Sequence, residues 1–164
     1  MNNENITSAL ACEVVKILKD RGWHISFAES CTGGLACAEL VGVPDASWVL
    51  DASLVTYANE AKIRYLGVDE ALISAHGVVS ETVAGEMAKE VDFANSAEVG
   101  VGISGIAGPS GGSEEKPVGC VCFGFYINGE MHTEKVLFGD LGRNNVRHAS
   151  VEHVYKRLSE LLLK

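Results

Sequence analysis

The chain has 164 residues, of which 47% are hydrophobic and 21% charged, a balance typical of one globular domain. Its formal net charge is −9, from 22 acidic and 13 basic residues, which argues against a nucleic acid partner because such binding needs a basic face. The five cysteines form no Cys-x-x-Cys pair, so we expect reduced thiols and neither a disulfide framework nor a zinc site.

Nothing in the sequence predicts export or membrane insertion. The N-terminal residues 1–5 lack the basic and apolar regions of a signal peptide. The apolar runs are shorter than the roughly 18 residues that a membrane helix needs. We therefore expect a cytoplasmic protein with no membrane partner.

Hydrophobic periodicity predicts helices that alternate with strands along the chain. The predicted helices cover 5–21, a segment from after the Ser30 turn to about 41, 59–67, 69–75, 81–95, and 143 or 144 to 162. The predicted strands cover 23–28, 50–57 and 99–104, with hairpin strands over 118–127 and 130–138. Asn5 and Ser80 are predicted N-caps, Gly22 ends the first helix, and Asn128-Gly129 is a strong hairpin signal.

This order of elements predicts an α/β fold class. We expect a single three-layer α/β/α domain over residues 1–164, with a mixed sheet and a C-terminal β-hairpin followed by a helix.

A cluster of hydroxyl and thiol groups follows the first predicted strand, in the sequence Ser30-Cys31-Thr32-Gly33-Gly34. A turn from strand to helix lies at the sheet edge where open α/β sheets bind ligands, and the helix N-terminus presents free N–H groups. The two glycines allow a ligand to approach the backbone closely. The alternative interpretation is that these hydroxyl groups only cap the helix.

Three polar segments are predicted to meet at this edge: the Ser30 turn, residues 53–62 and residues 104–117. Ser30 and Cys31 are the candidate nucleophiles. A serine nucleophile needs a neighbouring base, and no histidine lies in the three segments.

Lys62 and Tyr57 are the better candidates for the base and its partner. A lysine base needs a pKa lowered from its ordinary value of about 10.4, by burial or by a nearby cation. The pattern alone leaves open that Lys62 is a solvated helix lysine and that Tyr57 packs at a strand end.

Other residues indicate an anionic ligand. The glycine-rich loop over 105–117 contains Lys116 and can surround a phosphate with backbone N–H groups, although it lacks the Gly-Lys-Ser/Thr of a Walker loop. A Gly-x-Gly-x-x-Gly pattern at 100–105 lies within a predicted strand, so it does not indicate a dinucleotide site. Arg143 and Arg147 lie one turn apart on the last helix, where a pair of arginines can bind a phosphate.

Five longer motifs appear in a fixed order. They are Ala28-Glu29-Ser30-Cys31-Thr32-Gly33-Gly34, Val55-Thr56-Tyr57-Ala58-Asn59-Glu60-Ala61-Lys62, His76-Gly77-Val78-Val79-Ser80-Glu81, Ile103-Ser104-Gly105-Ile106-Ala107-Gly108-Pro109 and Glu115-Lys116-Pro117-Val118-Gly119. Together they resemble the CinA C-terminal domain family, and the resemblance covers residues 5–163.

Stand-alone members of that family are nicotinamide-nucleotide amidohydrolases of bacterial pyridine-nucleotide salvage. The resemblance therefore implies hydrolysis of the carboxamide of nicotinamide mononucleotide, which gives nicotinate mononucleotide and ammonia. It also implies an α/β/α fold, a small-molecule nucleotide substrate, no metal or cofactor, and a homo-oligomer of at least dimer size.

The resemblance also implies roles for individual residues. Ser30 is the expected nucleophile, and Lys62 and Tyr57 are the expected base and its orienting partner. Ser104 is expected to hold the substrate or to help a proton relay, and Arg143 to hold the phosphate, with Arg147 as the alternative. The remaining expected substrate-binding residues are Cys31, Thr32, Gly33, Gly34 and Gly105.

The sequence departs from the family pattern at two places. Ser53 stands where a glycine is usual, so we expect its side chain to narrow the pocket. The segment 139–143 is slightly longer than usual before Arg143. We expect N–H groups at the start of the helix after Ser30 to stabilise the oxyanion.

Two other functions stay open. One is a binding module of the same fold that holds a nucleotide without cleaving it. The other is a thiol enzyme or redox sensor that uses Cys31.

Overall fold

A computed structural model of the chain describes residues 3–164, with side chains from residue 6 onward. The side-chain cap predicted at Asn5 therefore lies outside the described residues. The strands are β1 (Ile25–Glu29), β2 (Leu50–Val55), β3 (Val99–Gly105), β4 (Cys120–Ile127) and β5 (Glu130–Leu137). The helices are α1 (Asn3–Arg21), α2 (Leu35–Val41), α3 (Asn59–Ala61), α4 (Glu70–His76), α5 (Glu81–Asn95) and α6 (Arg143–Leu162).

The five strands form one mixed sheet in the order β2-β1-β3-β4-β5. Strand β1 lies parallel to both β2 and β3, whereas β4 is antiparallel to β3 and to β5. Glu29 is in register with Val55 on one side and with Ile103 on the other. The segments that follow these three residues therefore leave the sheet at one shared carboxyl edge.

Helices cover both faces of the sheet. Helices α1, α2 and α6 pack together on one face, over a large apolar core. Helix α5 covers the other face, beside α4 and the segment that follows α3. The predicted three-layer α/β/α fold with a mixed sheet, hairpin and final helix is confirmed.

Two glycines of β3 let α5 lie directly on the sheet. A Cβ atom at Gly100 would lie 2.0 Å from the Ala88 carbonyl oxygen, and one at Gly102 would lie 2.1 Å from that of Ala84. Both distances are shorter than any allowed contact, so any side chain here would push α5 away from β3.

The predicted helix over 59–67 has a different structure. Only Asn59–Ala61 is α-helical, and Lys62–Leu66 continues as a π-helix that ends at Gly67, where φ is +79°. Sequence periodicity does not distinguish this wider winding from an α-helix, and short π-helical segments frequently occur at functional sites. Along the described chain, no helix combines the length and the apolar character needed to cross a membrane.

Candidate active site

Ser30 and Lys62 form a direct contact at the carboxyl edge of the sheet. Ser30 follows β1, and Lys62 is the first residue of the π-helical segment. Lys62 Nζ lies 3.1 Å from Ser30 Oγ, 2.6 Å from the Thr56 carbonyl oxygen and 3.4 Å from the Tyr57 carbonyl oxygen. Both carbonyls can only accept hydrogen bonds.

This geometry suits a neutral lysine. A neutral amine keeps two N–H groups and one lone pair; if the N–H groups are donated to the two carbonyls, the lone pair is left for Ser30 Oγ–H. Lys62 is fully buried (0% exposed), and burial lowers the pKa of its ammonium group from the ordinary 10.5. No carboxylate in the described part of the chain forms an ion pair with Lys62. The site therefore offers a serine beside a base.

Ser30 lies in a turn, residues 30–34, whose backbone is held at several points. The Ser30 amide donates to the Ile103 carbonyl at 3.1 Å, and the Gly33 amide donates to the Ser30 carbonyl at 3.1 Å. Gly33 and Gly34 have φ values of +61° and +95°, which favour glycine. These contacts fix the backbone on either side of the Ser30 side chain.

The buried carboxylate of Glu29 occupies the N-terminus of α2. It accepts hydrogen bonds from the amides of Gly34 (3.0 Å), Ala36 (3.1 Å) and Cys37 (2.9 Å). The expectation that the α2 amides stabilise an oxyanion is therefore wrong, because these donors are already used.

Two amides of the turn are left. Between residues 3 and 164, the amides of Cys31 and Thr32 donate to no backbone carbonyl or carboxylate. Both lie next to the Cys31 thiol, where they act to lower its pKa against the larger effect of burial. Of these two residues only Cys31 lines the cavity described below, so its amide is the candidate backbone donor for an oxyanion beside Ser30.

A cavity of about 440 Å³ opens beside the Ser30–Lys62 pair, a volume in the range of small-molecule sites. Its described lining carries two cations, Lys116 and Arg143, beside the Lys62 amine, and no aspartate or glutamate. This is notable in a chain with a net charge of −9. The cavity is therefore electrostatically suited to an anionic ligand.

Arg143 joins two walls of the cavity. Its Nη1 donates to the Gly108 carbonyl at 2.7 Å, and its Nη2 donates to the Tyr57 hydroxyl at 2.7 Å. Among the described contacts, the Tyr57 side chain, 58% exposed, reaches Arg143 and not Lys62. Tyr57 therefore holds Lys62 through its carbonyl and Arg143 through its phenol.

Ser104, Gly105 and Lys116 lie on the opposite side of the sheet edge from Tyr57, and each lines the cavity. Ser104 is buried (1% exposed) and donates to the Val78 carbonyl at 2.7 Å. Lys116 Nζ donates to the His76 carbonyl at 2.8 Å. These contacts attach residues 76–79 to the cavity wall. The His76–Glu81 motif contributed to the family resemblance, but its sequence alone did not predict this arrangement.

Four predicted substrate-binding residues lie outside the cavity lining: Thr32, Gly33, Gly34 and Arg147. Arg147 contacts the outside of the turn, where its Nε and Nη2 donate to the Cys31 and Thr32 carbonyls. The geometry thus brings Arg143 to the cavity but not Arg147. Cys31, the remaining predicted residue of the turn, does line it.

The expectation for Ser53 is also wrong. Ser53 lies within β2, and its hydroxyl is buried beside the Cys37 thiol; burial raises the pKa of that thiol, and the contact with Ser53 opposes part of the rise. Ser53 does not line the cavity, because its side chain contacts Cys37 of α2 instead.

The Cys31 thiol is poorly suited to be the nucleophile. Its side chain is buried (5% exposed), and burial raises the pKa of the thiol to about 12. A thiol enzyme needs a thiolate, which this environment disfavours. Among the described residues there is no group of three or more histidine, cysteine, aspartate and glutamate side chains that could hold a metal ion.

Fold and site together define an open-sheet α/β protein with a small-molecule cavity at the carboxyl edge of its parallel strands. In a comparison with known protein families, residues 7–162 match the CinA C-terminal domain. The chain therefore belongs to the CinA family, as the sequence motifs predicted.

Similar sequences and solved structures support this family assignment. A CinA-like protein from Chlorobaculum tepidum is 44% identical over 156 residues, which is 90% of this chain and 37% of that protein. The chain thus spans about a third of the length of the curated relatives it matches. The competence/damage inducible protein CihA from Agrobacterium tumefaciens, a crystal structure, has a TM-score of 0.93 and 36% identity, covering 97% of this chain and 96% of that one. A CinA superfamily protein from Klebsiella pneumoniae has a TM-score of 0.91 and 33% identity, covering 96% and 98%.

Proposed function

We propose that this chain hydrolyses the carboxamide of nicotinamide mononucleotide to nicotinate mononucleotide and ammonia. The observation that carries the proposal is the contact of 3.1 Å between Ser30 Oγ and the buried Lys62 Nζ. The cationic, acid-free lining of the adjoining cavity supports a substrate with a phosphate group.

The reaction proceeds by acyl transfer. Neutral Lys62 accepts the proton of Ser30 Oγ as the oxygen attacks the amide carbon, and the carbonyl oxygen becomes an oxyanion held by the Cys31 amide. The tetrahedral intermediate collapses when the Lys62 ammonium gives its proton to the leaving nitrogen, which departs as ammonia. Lys62 then deprotonates a water molecule, which attacks the Ser30 ester; the bond to Ser30 Oγ breaks, Lys62 returns the proton to that oxygen, and the carboxylic acid is released.

The remaining cavity residues are assigned to binding. Arg143 and Lys116 are the cations for the phosphate, and Ser104 and Gly105 form the wall beside the reacting group. Tyr57 is a positioning residue for both Lys62 and Arg143. A homo-oligomeric assembly and a cytoplasmic location remain predictions.

The reaction is tested by incubating the purified chain with nicotinamide mononucleotide, without added metal, and measuring both products. Equal amounts of ammonia and nicotinate mononucleotide are expected. Raised thermal stability in the presence of the nucleotide, with no product, would instead indicate the binding module of the same fold.

The phosphate assignment gives a separate prediction. Arg143→Ala is expected to raise the KM for nicotinamide mononucleotide about tenfold or more, because a charge-assisted hydrogen bond contributes about 1.5–3 kcal/mol. The KM for nicotinamide riboside, which lacks the phosphate, should change far less. Steady-state kinetics on both substrates make the comparison, and an equal rise for the two would contradict the assignment.

A further inference from the structure

We propose that Arg147 is a positioning residue for the Ser30 nucleophile: it holds the 30–34 turn from outside so that the N–H of Cys31, which lines the cavity, faces the reacting carbonyl. The inference rests on the proposed function, and it gives Arg147 a role that is distinct from phosphate binding. It concerns the donors to the oxyanion, because the Ser30 amide and the amides at the start of α2 are already bonded to other groups.

Each of the three side-chain nitrogens of Arg147 donates a hydrogen bond within the protein. Nε donates to the Cys31 carbonyl at 3.1 Å, Nη2 to the Thr32 carbonyl at 3.0 Å and Nη1 to the Asn144 side-chain oxygen at 3.0 Å. The guanidinium also packs on the turn, since a Cβ atom at Gly33 would lie 3.4 Å from Nη2. Two successive carbonyls are thus held by one planar, rigid group.

Planarity of the peptide bond transmits this hold to the cavity side. In a trans peptide the N–H points away from the C=O of the preceding residue. When Arg147 fixes the Thr32 carbonyl on the outside of the turn, it fixes the Gly33 N–H on the opposite side, where this N–H donates to the Ser30 carbonyl. The Ser30 carbonyl, held by the Gly33 amide at 3.1 Å, orients the Cys31 N–H in the same way.

The other donors of the turn are already used. The Ser30 amide, a common oxyanion donor in serine enzymes, is bonded to the Ile103 carbonyl. The amides of Gly34, Ala36 and Cys37 are bonded to the Glu29 carboxylate, which holds the turn from inside. Correct orientation of the Cys31 amide is therefore the requirement that Arg147 meets.

The test compares Arg147→Met, which keeps the length of the side chain but donates no hydrogen bond, with Arg147→Lys, which can hold only one carbonyl. We expect kcat for nicotinamide mononucleotide to fall about 10²-fold in Arg147→Met and less in Arg147→Lys. KM should stay within about threefold of the wild type, because Arg147 does not line the cavity.

The pH profile separates positioning from a general loosening of the site. If Arg147 acts only through the turn, the apparent pKa in the kcat/KM profile stays at its wild-type value, because the burial of Lys62 is unchanged. An upward shift of that pKa, or a rise in KM that accounts for the whole loss, would overturn the proposal.

Arg157 provides the matched control on the same helix. It bonds to Glu134 at 2.7 Å and to Glu160, and it has no contact with the turn. Arg157→Met should lower thermal stability and leave kcat unchanged. A loss of kcat in Arg157→Met equal to that in Arg147→Met would show that any loosening of α6 suffices, and would overturn the proposal.

A second measurement does not depend on the substrate. A fluorophosphonate probe reacts with an activated serine through an oxyanion-like adduct, so the rate of Ser30 labelling reports the same amide. Labelling of the wild type without hydrolysis of the nucleotide would reject the proposed substrate alone, and slower labelling of Arg147→Met would still support the positioning role. Equal labelling of wild type and Arg147→Met, or no labelling of the wild type, would overturn that role.

Discussion

Ser30→Ala is expected to lower the rate of ammonia release from nicotinamide mononucleotide by about 10³-fold or more, because removal of a serine nucleophile leaves only binding and oxyanion stabilisation. Ser30 is half-buried and its side chain contacts Lys62, so the substitution removes one hydroxyl and little packing. The fold should therefore be retained. Ammonia release and circular dichroism, measured on the same preparation, check both parts of the prediction.

The adjacent thiol supplies the control for this experiment. Cys31→Ala should keep turnover within about tenfold of the wild type, because the thiol is a neutral neighbour in the proposed mechanism and its pKa is raised to about 12 by burial. If Ser30→Ala retains near-wild-type turnover and Cys31→Ala loses it, the thiol is the nucleophile and the mechanism is wrong.

The elements that place the site were predictable because they depend on local patterns. A buried strand, a polar turn and a glycine pair located Ser30, and the parallel register of β1 with β2 and β3 brings the next residues of each strand to one edge. The contact between Ser30 and Lys62 follows from that topology together with the return of the chain after β2. Motifs and fold class together thus limited the search to this edge.

The orientation of side chains at the edge was not predictable, because it depends on partners far apart in sequence. The phenol of Tyr57 reaches Arg143, 86 residues later, and Arg147 holds the Cys31 carbonyl from 116 residues away. Their spacing placed Arg143 and Arg147 one turn apart on one helix. It did not show that Arg143 lines the cavity and that Arg147 lies outside it. Glu29, in contrast, lies only five to eight residues from the α2 amides that it binds, but the sequence does not show whether its side chain turns back to them.

The distribution of acidic and basic residues bears on the proposed chemistry of the cavity. The acidic residues that give the chain its charge of −9 are absent from the described cavity lining, so the two cations there, Lys116 and Arg143, are not neutralised by a carboxylate of the lining. Glu29 is the nearest acidic residue in sequence to Ser30, and three amides already satisfy its carboxylate. No described carboxylate forms an ion pair with Lys62; such a pair would raise the pKa of this residue against the lowering effect of its burial.

Lys62→Met is expected to abolish turnover to the same degree as Ser30→Ala, because it removes the base while keeping the volume of the side chain. In the wild type, kcat/KM should rise with pH until Lys62 is deprotonated, at an apparent pKa below the ordinary 10.5. A pH–rate profile from neutral to alkaline pH measures this value. A wild-type profile that climbs only near 10.5 would contradict a buried, neutral base.

The same substitution makes a prediction about stability that does not involve the substrate. Because burial lowers the pKa of Lys62, the unfolded chain binds more protons than the folded chain between that lowered value and 10.5, so the free energy of unfolding rises with pH across this interval. Lys62→Met should remove this rise, which urea unfolding at several pH values measures. Lys156→Met, at an exposed position of α6, should leave the rise in place. Parallel pH curves for the wild type and Lys62→Met would mean that Lys62 is solvated, and a solvated, protonated lysine could not accept the proton of Ser30.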